Sequence, residues 1–338
     1  MSPALQRTYA RLRHLGRSYL ARSFAPKPNT ASPDPQPYAA LVQLLLSFDG
    51  TTGGADVLYF GDSVVERVAR EDQDQRTLGE MVQDRLRAQR RVVVLSLSAY
   101  NAEMYRLLLL AVANMASHPG LVIVPINMRS FSPQWDRNPN WQFSQERALL
   151  QRYTVDAAID IKLAPDQEPT KDALEAYDAV PVTYPLTCFD RIGQFRLVIN
   201  ARAETAEQRR FRTKQIFIFH YMFALAREHW LIDALHGVID IANSMQTKVM
   251  FYTTPINYQA GMRYVGPEFA DRLAENVRTV CDAVTRMRSD EGPLFLDYSQ
   301  RLGSEYFFHY DLATEHLNQD GRRALTEEIA ACALDVVL

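Results

Sequence analysis

A serine with turn-forming neighbours follows the first strand-like segment of the chain. The run 57–60 is apolar, and Gly61, Asp62 and Ser63 connect it to a stretch with a helical pattern. There the serine would lie at the carboxyl end of a strand and the amino end of a helix. Backbone N–H groups and the helix dipole stabilise a developing alkoxide or oxyanion at such a point. The triplet therefore predicts a nucleophilic serine, although Gly-Asp-Ser is also ordinary turn chemistry.

Other residues have the types that acyl transfer requires. A serine nucleophile needs a base, and His316 stands just before the last predicted helix. Asn127 follows the predicted third strand, where its side-chain amide is a candidate oxyanion donor, and the loop at Ser98 and Ala99 can supply a further N–H. Each of these residue types is common in turns and caps, so the prediction requires all of them to meet at one edge of a sheet.

Strand and helix patterns alternate in a way that would bring these residues together. Apolar or β-branched runs predict strands at 56–60, 91–97, 121–126, 249–252 and 294–296, with helical patterns at 77–89, 102–116, 266–284 and 321–338. Such alternation is typical of βαβ units with right-handed crossovers. We therefore predict a three-layer α/β/α sandwich with a five-stranded parallel, flavodoxin-like sheet.

The remaining segments suggest how the chain is organised. Residues 1–24 form a basic amphipathic pattern with five unopposed arginines, and prolines then mark a linker up to residue 37. The main domain would cover 38–338 and carry a helical insertion at about 136–245, where strand patterns are few. The arm at 1–24 is either a surface helix or a contact to an anionic membrane surface or a partner protein.

The site residues together resemble the SGNH, or GDSL-type, hydrolase superfamily. Gly61-Asp62-Ser63 is similar to its nucleophile block, Asn127 to its asparagine after strand three, and His316 to its late histidine. The segments 131–135 and 254–257 resemble the acyltransferase-related branch that modifies teichoic acids and exopolysaccharides. The resemblance covers about 56–135 and 247–336. It implies an SGNH hydrolase fold and an acyl-serine mechanism that uses neither a metal nor an organic cofactor.

Three positions depart from that family pattern. Ser98 or Ala99 stands where the family has a glycine after strand two, and Pro125 replaces the usual glycine two residues before Asn127. Ala313 stands where the family has the aspartate that orients the histidine. Asp311 is the nearest carboxylate before that position, and Glu315 adjoins His316. The alternatives are that Asp311 orients His316, that Glu315 does so, or that no carboxylate does.

Two functions follow from this pattern. The first is a serine-dependent acyl-ester hydrolase or O-acyltransferase acting on an acylated glycan or a small ester, in polysaccharide modification. The second is a catalytically degenerate SGNH-like module that binds a glycan or a partner enzyme in polysaccharide biosynthesis. A third reading, an unrelated flavodoxin-like binding protein, lacks a nucleotide motif.

Composition sets the remaining expectations. The net charge of −3 does not favour nucleic acid as a partner, and the three widely spaced cysteines favour a reducing compartment. We expect a cytoplasmic protein, with residues 1–24 as a means of attachment to the inner face of a membrane. His229, Asp233 and His236 share a helix stripe that could bind a metal, but they lack a metalloprotease signature and are expected to form a solvated or internally hydrogen-bonded face.

Overall fold

The computed structural model describes most of the main domain. The described residues are Phe48, 55–136, Phe143, Leu150, 170–201, 205–285 and 292–337. The predicted arm at 1–24 and the linker up to residue 37 lie outside the described residues. No helix within the described ranges has both the length and the apolarity to cross a membrane.

A five-stranded sheet lies at the centre of the domain. Its strands are β1 (Val57–Gly61), β2 (Val92–Ser96), β3 (Leu121–Ile126), β4 (Lys248–Thr253) and β5 (Leu294–Asp297). They are all parallel, in the order β2-β1-β3-β4-β5. This is the strand order of flavodoxin-like sheets, with a switch point between β1 and β3. The predicted fold class is confirmed.

Helices cover both faces of the sheet. In chain order they are α1 (Ser63–Glu66), α2 (Leu78–Leu86), α3 (Ala102–Ala113), α4 (Pro133–Asp136), α5 (Lys171–Asp178), α6 (Ile192–Asn200), α7 (Ala206–Tyr221), α8 (Trp230–Ser244), α9 (Tyr258–Tyr264), α10 (Glu268–Thr285) and α11 (Gln319–Val337). Short 3-10 turns cover Met128–Phe131 and Ser304–Tyr306. Helices α3, α8 and α10 bury one face, whereas α2 and α11 bury the other. Side chains of β1 alternate between the two cores, as Phe60 and Tyr59 show, because successive residues of a strand point to opposite faces.

The segment predicted as a helical insertion contains two kinds of helix. Helices α5 and α6 lie beside a small separate cluster of buried side chains that includes Phe189, Phe195 and Phe219. In contrast, α8 packs on α3 and buries Leu235 and Val238 in the main core. A parallel pair needs a crossover, and α8 is the crossover helix between β3 and β4. The predicted range of 136–245 therefore includes one helix of the regular fold.

Candidate active site

Ser63 lies at the point where β1 turns into α1. Asp62 caps this short helix by accepting a hydrogen bond from the Val64 N–H at 2.8 Å. Gly61 packs closely beneath the turn: a Cβ at this position would lie 2.5 Å from the Val65 Cβ and 2.7 Å from the Ser96 Cβ. The local sequence therefore places a half-buried serine at the carboxyl edge of the sheet, with glycine needed for packing.

His316 reaches the same edge from the segment between β5 and α11. Its Nε2 lies 3.1 Å from the Ser63 Oγ, across 253 residues of sequence. Burial is the largest cause that lowers the pKa of His316 from 6.5 to about 4, and the nearby groups Arg67, Arg129 and His309 contribute to the same shift. The imidazole is therefore neutral at physiological pH and can accept a proton from Ser63.

Within the described ranges, no carboxylate holds the other side of the imidazole. Among the described residues, none forms a hydrogen bond to His316 Nδ1. The exposed Asp311 carboxylate is instead bound by Arg263 Nη2 at 3.0 Å. Glu315 points to Arg129, with its Oε1 3.2 Å from Arg129 Nε. Of the three alternatives, this geometry fits the one in which His316 is oriented without a carboxylate.

Asn127 is fixed beside Asp62 at the end of β3. Its Nδ2 donates to Asp62 Oδ2 at 2.8 Å, and its Oδ1 accepts from the Arg129 N–H at 3.0 Å. An amide nitrogen has two hydrogens, so one remains for a ligand. Burial raises the pKa of Asp62, whereas the hydrogen bonds from Asn127 and Val64 lower it. Asp62 therefore serves as a cap and as the orienting partner of Asn127.

Ser98 and Ala99 form a tight turn after β2. The Tyr100 N–H donates to the Leu97 oxygen at 3.1 Å, and Ala99 has a φ of 70°. A positive φ at the third position is the mark of a type II turn, which favours glycine. Ser98 donates from its hydroxyl to Glu66 Oε2 at 2.8 Å, which joins this turn to the end of α1. Alanine therefore occupies a left-handed position that glycine would fill with less strain.

Ala99→Gly is expected to raise the free energy of unfolding by about 0.5–1 kcal/mol. The left-handed conformation costs an L-residue about 1–2 kcal/mol, and the extra freedom of glycine in the unfolded chain offsets part of that gain. Urea denaturation measures the change. Ala113→Gly, at the end of α3, is the control and should lower stability by about the same amount. A loss of stability in Ala99→Gly would contradict the assigned strain.

A side chain that was not predicted to have a role organises the segment before His316. Asn257 is fully buried, and its Nδ2 lies within 3.2 Å of the backbone oxygens of three residues in the loop: His309, Tyr310 and Leu312. Its Oδ1 accepts a hydrogen bond from the Ser304 hydroxyl at 2.6 Å. Asn257 ends the segment 254–257 that was singled out in the sequence, so the motif was visible although its role was not.

The two histidines singled out on the predicted helix stripe, His229 and His236, have structural partners. His229 caps α8 through Nδ1, which accepts from the Leu231 N–H at 3.2 Å, and His236 Nε2 lies 3.3 Å from the Ala283 oxygen. In the described part of the chain, no group of three side chains is arranged to hold a metal ion.

The fold and the site define an α/β protein with a Ser–His pair at the carboxyl edge of a parallel sheet. No protein-family model matches the chain, and no curated protein matches its sequence. Solved structures that it resembles include a "putative acylhydrolase" of Bacteroides fragilis NCTC 9343, with 11% identity, a TM-score of 0.43 and coverage of 90% of this chain and 98% of the other. Another is a GDSL-like lipase of Bacteroides thetaiotaomicron VPI-5482, with 9% identity and a TM-score of 0.42. That match covers 88% of this chain and 98% of the lipase chain.

Proposed function

We propose that this protein is a serine-dependent acyl-ester hydrolase or O-acyltransferase, with Ser63 as nucleophile and His316 as base. The observation that supports it most is the 3.1 Å contact between Ser63 Oγ and His316 Nε2. A base must be within hydrogen-bond reach of the proton it removes, and this distance is within that reach. The neutral state of His316 leaves Nε2 able to accept.

The chain supplies each group that acyl transfer needs. His316 Nε2 takes the Ser63 proton while the Oγ attacks the carbonyl carbon of the ester. The resulting oxyanion is held by the second Asn127 Nδ2 hydrogen and by the backbone N–H of Ser63, a first-turn donor without an intrahelical acceptor. Collapse expels the alcohol, which takes the proton from His316 and leaves an acyl-serine. A water or a sugar hydroxyl, deprotonated by His316, then attacks the acyl carbon, and as the acyl–Oγ bond breaks His316 returns that proton to Ser63 Oγ.

Labelling with a fluorophosphonate probe tests the nucleophile directly. We expect intact-mass analysis to show a single adduct that is absent in Ser63→Ala. Ser132→Ala is the matched control, because Ser132 Oγ lies 3.1 Å from His220 Nδ1 but both residues are buried in the core. An adduct that persists in Ser63→Ala, or a folded wild-type protein that forms none, would contradict the proposal.

The activity should depend on pH in a way set by the low pKa of His316. The base must be neutral, so kcat/KM is expected to rise with pH along a limb centred at about 4 and to be level above roughly pH 6. Steady-state hydrolysis of a chromogenic ester from pH 3.5 to 8 measures this profile. Arg67→Gln removes a nearby positive charge and should move the limb to higher pH. A limb at 6.5 in the wild type, the ordinary value for histidine, would refute the expected burial effect.

For the substrate, we propose an acylated glycan or a small ester, with a sugar hydroxyl as the acceptor in the transfer reaction. The segments 131–135 and 254–257, which resemble the acyltransferase-related branch, support this choice. Mass spectrometry of products formed from an activated acetyl ester, with and without added sugars, separates the two reactions. Acetylated sugar would favour transfer, and acetate alone would favour hydrolysis.

One observation favours the second candidate, a non-catalytic binding module. His316 Nδ1 has no carboxylate partner among the described residues, and that partner normally stabilises the imidazolium. A folded protein that binds acylated glycans by calorimetry, but neither labels with the probe nor hydrolyses esters, would support the module.

A further inference from the structure

Arg129 joins two loops of the candidate site. It follows β3 by three residues, and its backbone N–H donates to Asn127 Oδ1 at 3.0 Å. Its side chain crosses to the segment that carries His316. There Nη2 donates to the Ala313 oxygen at 2.8 Å, and Nε lies 3.2 Å from Glu315 Oε1. One residue therefore contacts both the Asn127 amide and the two residues that flank Thr314.

This contact is largely shielded from water. The Glu315 side chain is 2% exposed and the Arg129 side chain 20% exposed. Burial raises the pKa of Glu315, and the Arg129 charge acts against that rise. A buried carboxylate is costly without a cation beside it, so the pair fixes the distance between the two loops more firmly than a surface ion pair would.

The backbone, in turn, sets the direction of the imidazole. The His316 N–H donates to Thr314 Oγ1 at 3.0 Å, and the His316 oxygen accepts from the Phe308 N–H at 3.0 Å. Because no described side chain binds Nδ1, the orientation of the imidazole ring depends on the position in which the backbone of residues 313–316 is held.

We propose that Arg129 is the positioning residue for His316, holding the 313–316 backbone against the Asn127 loop in place of a carboxylate on the imidazole. This inference rests on the proposed Ser63–His316 chemistry. The planar guanidinium contacts both residues, because its Nη2 donates to the Ala313 oxygen while its Nε is in ion-pair contact with Glu315, and a single point charge cannot span both.

The electrostatic surroundings agree with this role. The charged or titratable groups that act on His316 come from three segments. They are Arg67 after α1, Arg129 after β3, and His309 in the loop that precedes His316. The Arg129 charge lowers the pKa of His316, which keeps the base neutral. Removal of Arg129 should therefore both loosen the base and raise its pKa.

The test separates geometry from charge. Arg129→Lys keeps the charge but loses the two-point contact, so fluorophosphonate labelling at pH 7 should slow by roughly 10-fold or more while the pKa of His316 stays low. The double variant Arg129→Met, Glu315→Gln avoids leaving a buried carboxylate unpaired. It should slow labelling by a similar factor and raise the pKa of His316. NMR titration of the His316 ring reads the pKa independently of activity.

Arg263→Met is the matched control. Arg263 Nη2 also binds a backbone oxygen of this loop, that of Tyr310 at 3.0 Å, but it does not reach 313–316. We expect labelling within about 2-fold of wild type. Wild-type labelling in folded Arg129→Lys would overturn the proposed role. If the wild type itself does not label, the proposed function fails. The Arg129 inference is then judged separately: an unchanged pKa of His316 in the double variant would overturn it.

Discussion

His316→Ala is expected to lower kcat/KM for a chromogenic ester by at least about 10³-fold. Among the described residues, His316 forms the one hydrogen bond to Ser63 Oγ, so its loss leaves the hydroxyl without a base. In serine enzymes, removal of the base leaves only the catalysis that the oxyanion hole and substrate binding provide. Asn127 keeps its contacts to Asp62 in the variant, so some residual rate over water should remain.

His309→Ala is the matched control for this measurement. His309 is an exposed histidine of the same loop, and only its backbone oxygen contacts Asn257. Its replacement should change kcat/KM by less than about 3-fold, through the small charge effect on His316 alone. Equal losses in the two variants would show that the loop had been disturbed, and a wild-type rate in His316→Ala would remove His316 from the mechanism.

Arg322→Met is expected to lower the free energy of unfolding by about 3–5 kcal/mol, because it breaks a buried ion pair on one side. Arg322 is fully buried in α11. It donates to Asp72 Oδ2 at 2.7 Å and to the backbone oxygens of Arg76, Asp74 and Leu317 at 3.0, 2.6 and 3.0 Å. Its loss would leave those acceptors without their donor. One of them, the Leu317 oxygen, belongs to the residue that follows His316.

Urea denaturation measures the free energy of unfolding of Arg322→Met, and Arg323→Met is the matched control. Arg323 is the next residue, 54% exposed, and its pairs with Asp74 and Asp320 are 3.5 and 3.4 Å long. Surface pairs of this kind contribute about 0–1 kcal/mol. A similar loss in both variants would contradict the burial argument. Adding Asp72→Asn to Arg322→Met should recover part of the loss, since the stranded charge is removed.

The sheet and the positions of three site residues could be predicted because both follow from local pattern. The apolar runs at 57–60 and 121–126 define parallel strands, and the carboxyl ends of such strands meet at one edge. The site residues stand directly after strands or before a helix, as Ser63, Asn127 and His316 do. The sheet topology alone was therefore enough to predict that they lie close together. The catalytic roles assigned to them stay predictions.

The partners of the charged side chains were not predictable in the same way. Asp311 was a candidate to orient His316, but Arg263, 48 residues away, binds it on the outer side of the loop. Arg129 and Glu315 are 186 positions apart, and neither has a local pattern that points to the other. The range assigned to the insertion, 136–245, includes α8 for a related reason: amphipathic helices of insertions and of crossovers share the same 3.6-residue period.

The contact of Asn257 with backbone oxygens has a consequence for how this site can change. Tyr310 and Leu312 are held through their carbonyl groups, while the two residues are 56% and 43% exposed. Substitutions at these two positions change exposed side chains, yet they leave the anchored main chain in place. The main-chain path that leads to His316 can therefore stay fixed while the side chains at 310 and 312 vary.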